Sequence, residues 1–495
     1  MMKKFINNKT TQKVFFLLCF TGTYLLVLFN RHFYDDEIGS IIVLNQAKNI
    51  ADLYLNVNTW DVSPPFSYII FFLLRNLSNN YEYITAFILP LHVYAFYKFY
   101  ELGSYQFKKE SISKFLFFLS IVLSPVYLLW CVSIRWYTLW TPLALIVITV
   151  LYLKKKISNF DIILLFIIST LMLHISYLSL IFFLSIFLSK ILIWRTKIII
   201  FVKNNLLKFF FLILINLPQL YFFLFYHIKN SESQFLGYKY SIIIPMITSV
   251  YGNALLPVDF FALPLHFSFI FLFYFFLKDF SRIEKYKNFY SLFLFCIYFI
   301  FLLFITQLGA KARHSIILFH IFYFFIFLYF SNLNKSIFKY IFSISFIIFL
   351  CAGFLNIFYQ KNTIKNNINL PIKKITNFFN LQFKKKNCEL FYIYTYNDVI
   401  KYYLRKNEKF IINYSADKII DNEKLECFYL INSYYGSSDI NEIILLNNVK
   451  SSFVKNNKIK TLNIEYDKYR DMKNKFFRSD VRGDFILSIE YFENR

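Results

Sequence analysis

The chain has 495 residues, 58% hydrophobic and 22% aromatic, with a mean hydropathy of +0.48 and only 9 glycines. Soluble proteins of this size are about half apolar and lack repeated apolar runs of bilayer length, so the composition excludes a water-soluble globular protein. The net charge of +25 does not indicate a nucleic-acid partner, because the basic residues follow alternate loops and do not gather on one folded surface.

In chain order, the first apolar run is Val14 to Asn30, about long enough to cross a bilayer. It has no Ala-x-Ala-like end and reads as an uncleaved anchor. Directly after it stand Asp35, Asp36 and Glu37, followed by Asp52 and Asp61. The chain carries 13 acidic residues before position 360, and five of them fall between Tyr34 and Asp61. That concentration marks residues 31–65, expected as the first outer loop, as a candidate site. A solvated loop start is the plainer alternative.

The segment Trp60-Asp61-Val62-Ser63-Pro64-Pro65-Phe66-Ser67-Tyr68 places two prolines ahead of an apolar stretch. Proline blocks a helix before it and is tolerated at a helix start. Pro64 to Leu74 is therefore expected as a short helix at the membrane interface or re-entering the bilayer.

Further spans fall near 83–100, 114–131, 136–153, 159–174, 177–193, 208–226, 262–278, 288–306, 313–331 and 337–358, roughly eleven in all. Residues 159–193 are read as a hairpin and not as one helix, since they far exceed one crossing. Basic residues cluster before the first span and in every second loop thereafter, including Lys154 to Lys156 and Arg195, Lys197 and Lys203. By the positive-inside rule the N-terminus and these loops are cytoplasmic, and the acid segment faces outward. Arg135, the turn at His174, and Lys311, Arg313 and His314 share that outer side.

Past about residue 360 the composition changes. Residues 360–495 hold 24 Lys plus Arg against 16 Asp plus Glu, a net of +8, and no apolar run of spanning length. Leu390 to Tyr396 and Phe410 to Tyr414 read as strands, and Asn397-Asp398 as the cap of a helix through Leu404. Residues 1–359 are thus expected to form a multi-span membrane domain, and 360–495 a small extracytoplasmic α/β domain. A Cys388–Cys427 disulfide and two free thiols are equally compatible with this reading. Cys19, Cys131, Cys296 and Cys351 read as packing residues.

Charged groups at a membrane are costly, and those retained usually serve a substrate, an ion or a relay. Three adjacent carboxylates repel one another unless one is neutralised. Carboxylates suit Mg or Mn, so a divalent cation stays open, although no spaced second ligand set accompanies them. The outer cations Arg135, Lys311 and Arg313, with His174, suit a lipid phosphate, which arginine binds through its planar fork. Singly, each also fits an interfacial anchor or a polar turn residue.

The order of a first span, outer acids, a Pro-Pro interfacial helix, Arg135-Trp136-Tyr137 opening a span, His174 at an outer turn and Lys311/Arg313 before a late span resembles the membrane glycosyltransferases of the GT-C fold. The resemblance is to family 39, which includes protein O-mannosyltransferases and the bacterial aminoarabinose transferases of lipid A, and covers about positions 14–330. It implies transfer of a sugar from a polyprenyl-phosphate donor to an extracytoplasmic glycolipid, glycan or protein. It implies Asp36 as the catalytic base, with Glu37 beside it and Asp35 the competing assignment. Asp61, Tyr68, Arg135, Tyr137, His174, Lys311 and Arg313 become candidates for holding the lipid phosphate and sugar. Where the family often has His-Pro-Pro, this chain has Ser63-Pro64-Pro65.

A carboxylate base and a cation for the leaving phosphate also satisfy the chemistry of such a transfer. The absence of a phosphate-binding Gly-rich loop argues against a nucleotide-sugar or ATP-driven enzyme. A transporter or flippase of lipid-linked sugars is the main alternative, but no internal repeat of the kind transporters show is evident. A glycan polymerase would place its key groups in a large late outer loop, and residues 227–261 hold only Glu232 and Asp259 as acids.

Overall fold

Apolar side chains recurring three and four residues apart close into helices with one buried face, and helices build the first of two compact units. That unit comprises Met1–Arg31 and Val43–Phe358; the second comprises His32–Ile42 and Tyr359–Arg495. The computed structural model describes residues 9–30, 35–60, 64–78, 81–107, 111–204, 206–222, 287–306, 316–332, 339–348 and three positions up to 354, together with five strands between 389 and 493.

The helices are α1 (Lys9–Asn30), α2 (Asp35–Gln46), α3 (Ile50–Trp60), α4 (Phe66–Arg75), α5 (Tyr81–Ile84) leading into a 3₁₀ turn (Thr85–Ile88), α6 (Leu89–Tyr105), α7 (Ser111–Val122) and α8 (Pro125–Trp130). Next come α9 (Trp136–Ile148), ending in a π turn (Thr149–Leu153), α10 (Asn159–Ile175), α11 (Leu178–Asn204) and α12 (Leu206–Phe222). The series ends with α13 (Lys287–Thr306), α14 (Ile316–Asn332) and α15 (Lys339–Ile348). Among the described residues, Thr10–Phe29 and Trp136–Leu153 are long and apolar enough to cross a bilayer, and seven further apolar helices are shorter. The expected span at 262–278 and the loop of 227–261 lie outside the described residues.

Three expectations are corrected. The expected outer loop 31–65 is not irregular throughout, since 35–46 and 50–60 are helical. The expected span 114–131 is broken at Leu123–Ser124, because Ser124 accepts from the Tyr127 N–H and Pro125 starts a new helix that cannot continue the old one. The helix expected to stop near 193 runs on to Asn204, through the basic residues read as a cytoplasmic loop; lysine and arginine are good helix formers and do not end one. The 159–193 segment is a hairpin, with Ser176 extended between α10 and α11.

The aromatic content fills the bundle. Phe20 stacks on Phe96 at 5.3 Å, Phe16 on Tyr100 at 5.3 Å, and Phe117 meets Phe99 at 5.4 Å and Phe324 at 6.1 Å. These contacts join α1, α6, α7 and α14. Gly103 permits that approach, since a Cβ there would lie 2.8 Å from the Phe117 ring.

In the second unit the five strands β1 (Glu389–Ile393), β2 (Ile412–Asn413), β3 (Cys427–Tyr434), β4 (Lys460–Ile464) and β5 (Ile486–Glu493) form one sheet in the order β2-β1-β3-β5-β4. β1 pairs in parallel with β2 and β3, whereas β5 pairs antiparallel with β3 and β4. The sheet is therefore mixed, with its two long strands β3 and β5 side by side. β1 overlaps the expected strand 390–396 and β2 falls inside 410–414; the helix expected at 398–404 and Cys388 lie outside the described residues.

Candidate functional site

The short helix α4 is the hub of the candidate residues, because it packs against α3, α5, α9 and α10. Pro65 occupies its N-cap with φ −73° and offers no side-chain acceptor to the first-turn amides. The first hydrogen bond of the helix runs from the Ile69 N–H to the Pro65 carbonyl, 3.0 Å. A helix start leaves its leading N–H groups without intrahelical partners and carries partial positive charge.

Arg135 is delivered to this point by the turn between α8 and α9. The Thr85 hydroxyl donates to the Val132 carbonyl at 3.0 Å, and the Tyr24 hydroxyl donates to the Thr85 carbonyl at 3.2 Å. The Ser133 hydroxyl donates to Trp130 O, and the Thr138 hydroxyl to Ser133 O. Residues 131–134 are buried, so the turn is a fixed platform. Arg135, in extended conformation as the N-cap of α9, sends Nη1 to donate to the Tyr68 hydroxyl at 3.0 Å. His174, in the last turn of α10, lies half-buried with its ring 6.2 Å from that of Phe66, the first residue of α4. The first turn of α4 thus gathers Tyr68, Arg135 and His174. Ser67 in the same turn is buried, and its hydroxyl has no hydrogen-bond partner among the described residues.

Tyr137 is not part of this group. Its buried ring meets Trp130 at 6.2 Å and Trp136 at 5.4 Å, inside the bundle. Asp61, Lys311, Arg313 and His314 lie outside the described residues. Asp35, Asp36 and Glu37 fill the first three positions of α2, where carboxylates favour the helix dipole. Glu37 is fully buried, which replaces the solvated loop start with a built position at that residue. Among the described residues no three His, Cys, Asp or Glu side chains converge as a metal-binding set.

Two groups escaped the sequence reading. Ser67 has no distinguishing signal inside the Pro-Pro motif, and the signal for Arg75 is a single cation after ten apolar or small residues. The Arg75 guanidinium donates to Leu44 O and, at 3.4 Å, to Ala47 O.

No family model matches the sequence, and no curated protein matches it either. Two crystal structures are similar to the chain: ArnT from Cupriavidus metallidurans in the apo state, with a TM-score of 0.53, and ArnT bound to undecaprenyl phosphate, with a TM-score of 0.54. The chain has an ArnT-like fold. Each alignment covers 97% of this chain and 98% of ArnT at 8% sequence identity. The likeness to ArnT is therefore one of fold, over nearly the whole length of both chains. It agrees with the GT-C membrane fold that the sequence resemblance implied.

Proposed function

We propose that the chain is an integral-membrane glycosyltransferase that moves a sugar from a polyprenyl-phosphate donor to an extracytoplasmic acceptor. The observation that carries this reading is the ArnT-like fold over 97% of the chain, with one of the two ArnT structures bound to undecaprenyl phosphate. In this reading the protein is a multi-pass component of a bacterial inner or plasma membrane with about eleven spans. Its N-terminus is cytoplasmic, and residues 360–495 form an α/β domain outside. The acceptor is a glycolipid, a surface glycan or a protein.

The acceptor hydroxyl or amine attacks the anomeric carbon and gives its proton to a carboxylate. The bond from that carbon to the phosphate oxygen breaks, and the lipid phosphate leaves with its negative charge. Arg135, held by Tyr68 beside the uncapped start of α4, supplies a planar donor fork for that charge; Ser67 and His174 adjoin it. Asp36 is assigned as that base, with Asp35 the alternative. Glu37 shares the buried stripe of Ile41 and Leu44.

The test compares envelope lipids and glycans of a strain lacking the chain with the same strain carrying wild type or Asp36→Asn. Loss of one sugar-sized mass, restored by wild type alone, with the polyprenyl-phosphate sugar accumulating, is the expected result. An unchanged glycan profile in the deletion strain overturns the proposal. Movement of a lipid-linked sugar across liposomes by the purified chain, without transfer, would establish the flippase instead.

A further inference from the structure

We propose that Arg75 is a positioning residue that anchors the acid-bearing helix α2 through its C-terminal end; the catalytic part of this inference rests on the transferase reading above. The last carbonyls of a helix have no intrahelical partners and carry partial negative charge. Leu44, in the last turn of α2, and Ala47, directly after its last residue, supply two such carbonyls, and both accept from one guanidinium, through Nη1 and Nη2 respectively. Leu44 and Ala47 are buried, so these carbonyls have few alternatives in water.

The arginine itself is held ready. Its guanidinium lies 3.9 Å from the centroid of the Phe72 ring, one turn earlier on α4, and Phe72 is buried. Arg75 also stands in the last turn of α4, where a cation complements that helix's own C-terminal dipole. One charge thus serves the ends of two helices. Among the described residues no carboxylate pairs with Arg75, so carbonyls are its only oxygen partners there.

The position of α2 gives the anchor a consequence. Its last residues, 43–46, belong to the first unit, while 35–42, with Asp35, Asp36 and Glu37, group with the second. Arg75 meets α2 at its first-unit end, and the acids stand on the same 12-residue helix. Arg75 therefore acts on the helix that carries the acids without touching the reacting atoms.

The experiment uses full-length protein in detergent micelles. Amide hydrogen exchange of residues 35–46 is read in wild type, Arg75→Ala and Arg75→Lys, beside the affinity of each for undecaprenyl phosphate and the kinetics of transfer once the product is known. Arg75→Ala is expected to speed α2 exchange about tenfold while distant helices keep their protection. It should lower kcat about tenfold and leave the donor KM and the undecaprenyl phosphate affinity within about twofold. Arg75→Lys, with a single donor group on a flexible stem, should fall between.

Unchanged α2 exchange in Arg75→Ala overturns the anchor. So does a loss of undecaprenyl phosphate affinity with α2 still protected, which would make Arg75 a lipid ligand. Wild-type protein without affinity for undecaprenyl phosphate overturns the transferase reading and not the anchor, which the exchange measurement reads by itself.

Discussion

Two helix starts in the first unit solve the same electrostatic problem in opposite ways. At α10, the Ser158 hydroxyl accepts from the Asp161 N–H at 3.3 Å, and the Asp161 carboxylate accepts from the Ser158 N–H at 2.7 Å and the Ser158 hydroxyl at 2.6 Å. Lys154 then neutralises that carboxylate at 2.8 and 2.6 Å. At α4, Pro65 supplies no side-chain acceptor, Ser67 is buried with its hydroxyl unpartnered, and the adjoining group is a cation, Arg135, on Tyr68. The first arrangement is complete in itself, with donors matched to acceptors and the aspartate paired by a lysine. The second sets a guanidinium beside a helix start that has no side-chain cap, and both kinds of group suit an anion.

The comparison yields opposite expectations for substitutions in the two regions. The largest effect belongs to the carboxylate that the anion site would work with: Asp36→Asn should lower sugar transfer by about 10²-fold or more, with Asp35→Asn milder. The amount of folded protein in the membrane should be unchanged. Near-normal transfer by both variants would end the carboxylate mechanism. Arg135→Ala comes next, with transfer reduced on the order of 10²-fold if the guanidinium meets charge on the leaving phosphate. Undecaprenyl phosphate binding should weaken as well, and Arg135→Lys should recover only part of either, since the ammonium lacks the fork. Arg135→Ala with unaltered binding and transfer would make the two helix starts equivalent after all.

The capped helix should answer in stability alone. Asp161→Ala removes the Ser158 partner and leaves Lys154 without its carboxylate, at a cost of about 1–2 kcal/mol. A lower melting temperature in micelles, with normal transfer per folded molecule, is the expected pair of results. Lost transfer at full stability would assign the Lys154–Asp161 pair to function and remove the contrast.

How much of this was legible beforehand depends on whether a feature is local. Ser158 and Asp161 stand three apart at the start of an apolar run, and such a cap can be read from spacing. The Pro64-Pro65 stop, the Ser176 hairpin and the opening of α9 after Arg135 are likewise written in neighbouring residues, and each lies within a few positions of its expected place. The Tyr68–Arg135 bond joins residues 67 apart, and Arg75 reaches Leu44 across 31. No periodicity encodes such pairs; they follow from how α4 packs on its neighbours. The helices within 31–65 were missed for a different reason. Their aspartates and asparagines have low helix propensity, and burial of Glu37, Ser40, Ile41 and Leu44 along one stripe is a tertiary gain that outweighs it.

Tyr68→Phe gives the smallest and most discriminating effect. The substitution keeps the buried ring and removes only the hydroxyl that accepts from Arg135 Nη1. Such a hydrogen bond to a charged group contributes about 1.5–3 kcal/mol when both partners are fixed, and less where another acceptor can replace it. If Tyr68 only orients Arg135, a bound lipid phosphate can take over the guanidinium. The variant should then lose transfer by roughly threefold to tenfold, mainly through a higher donor KM, and its melting temperature should move by no more than about 2 °C. If the hydroxyl instead completes a purely structural link between α4 and α9, the melting temperature should fall as it does for Asp161→Ala, and KM should hold. Measuring both quantities on the same variant decides whether the start of α4 is a site or a second kind of cap.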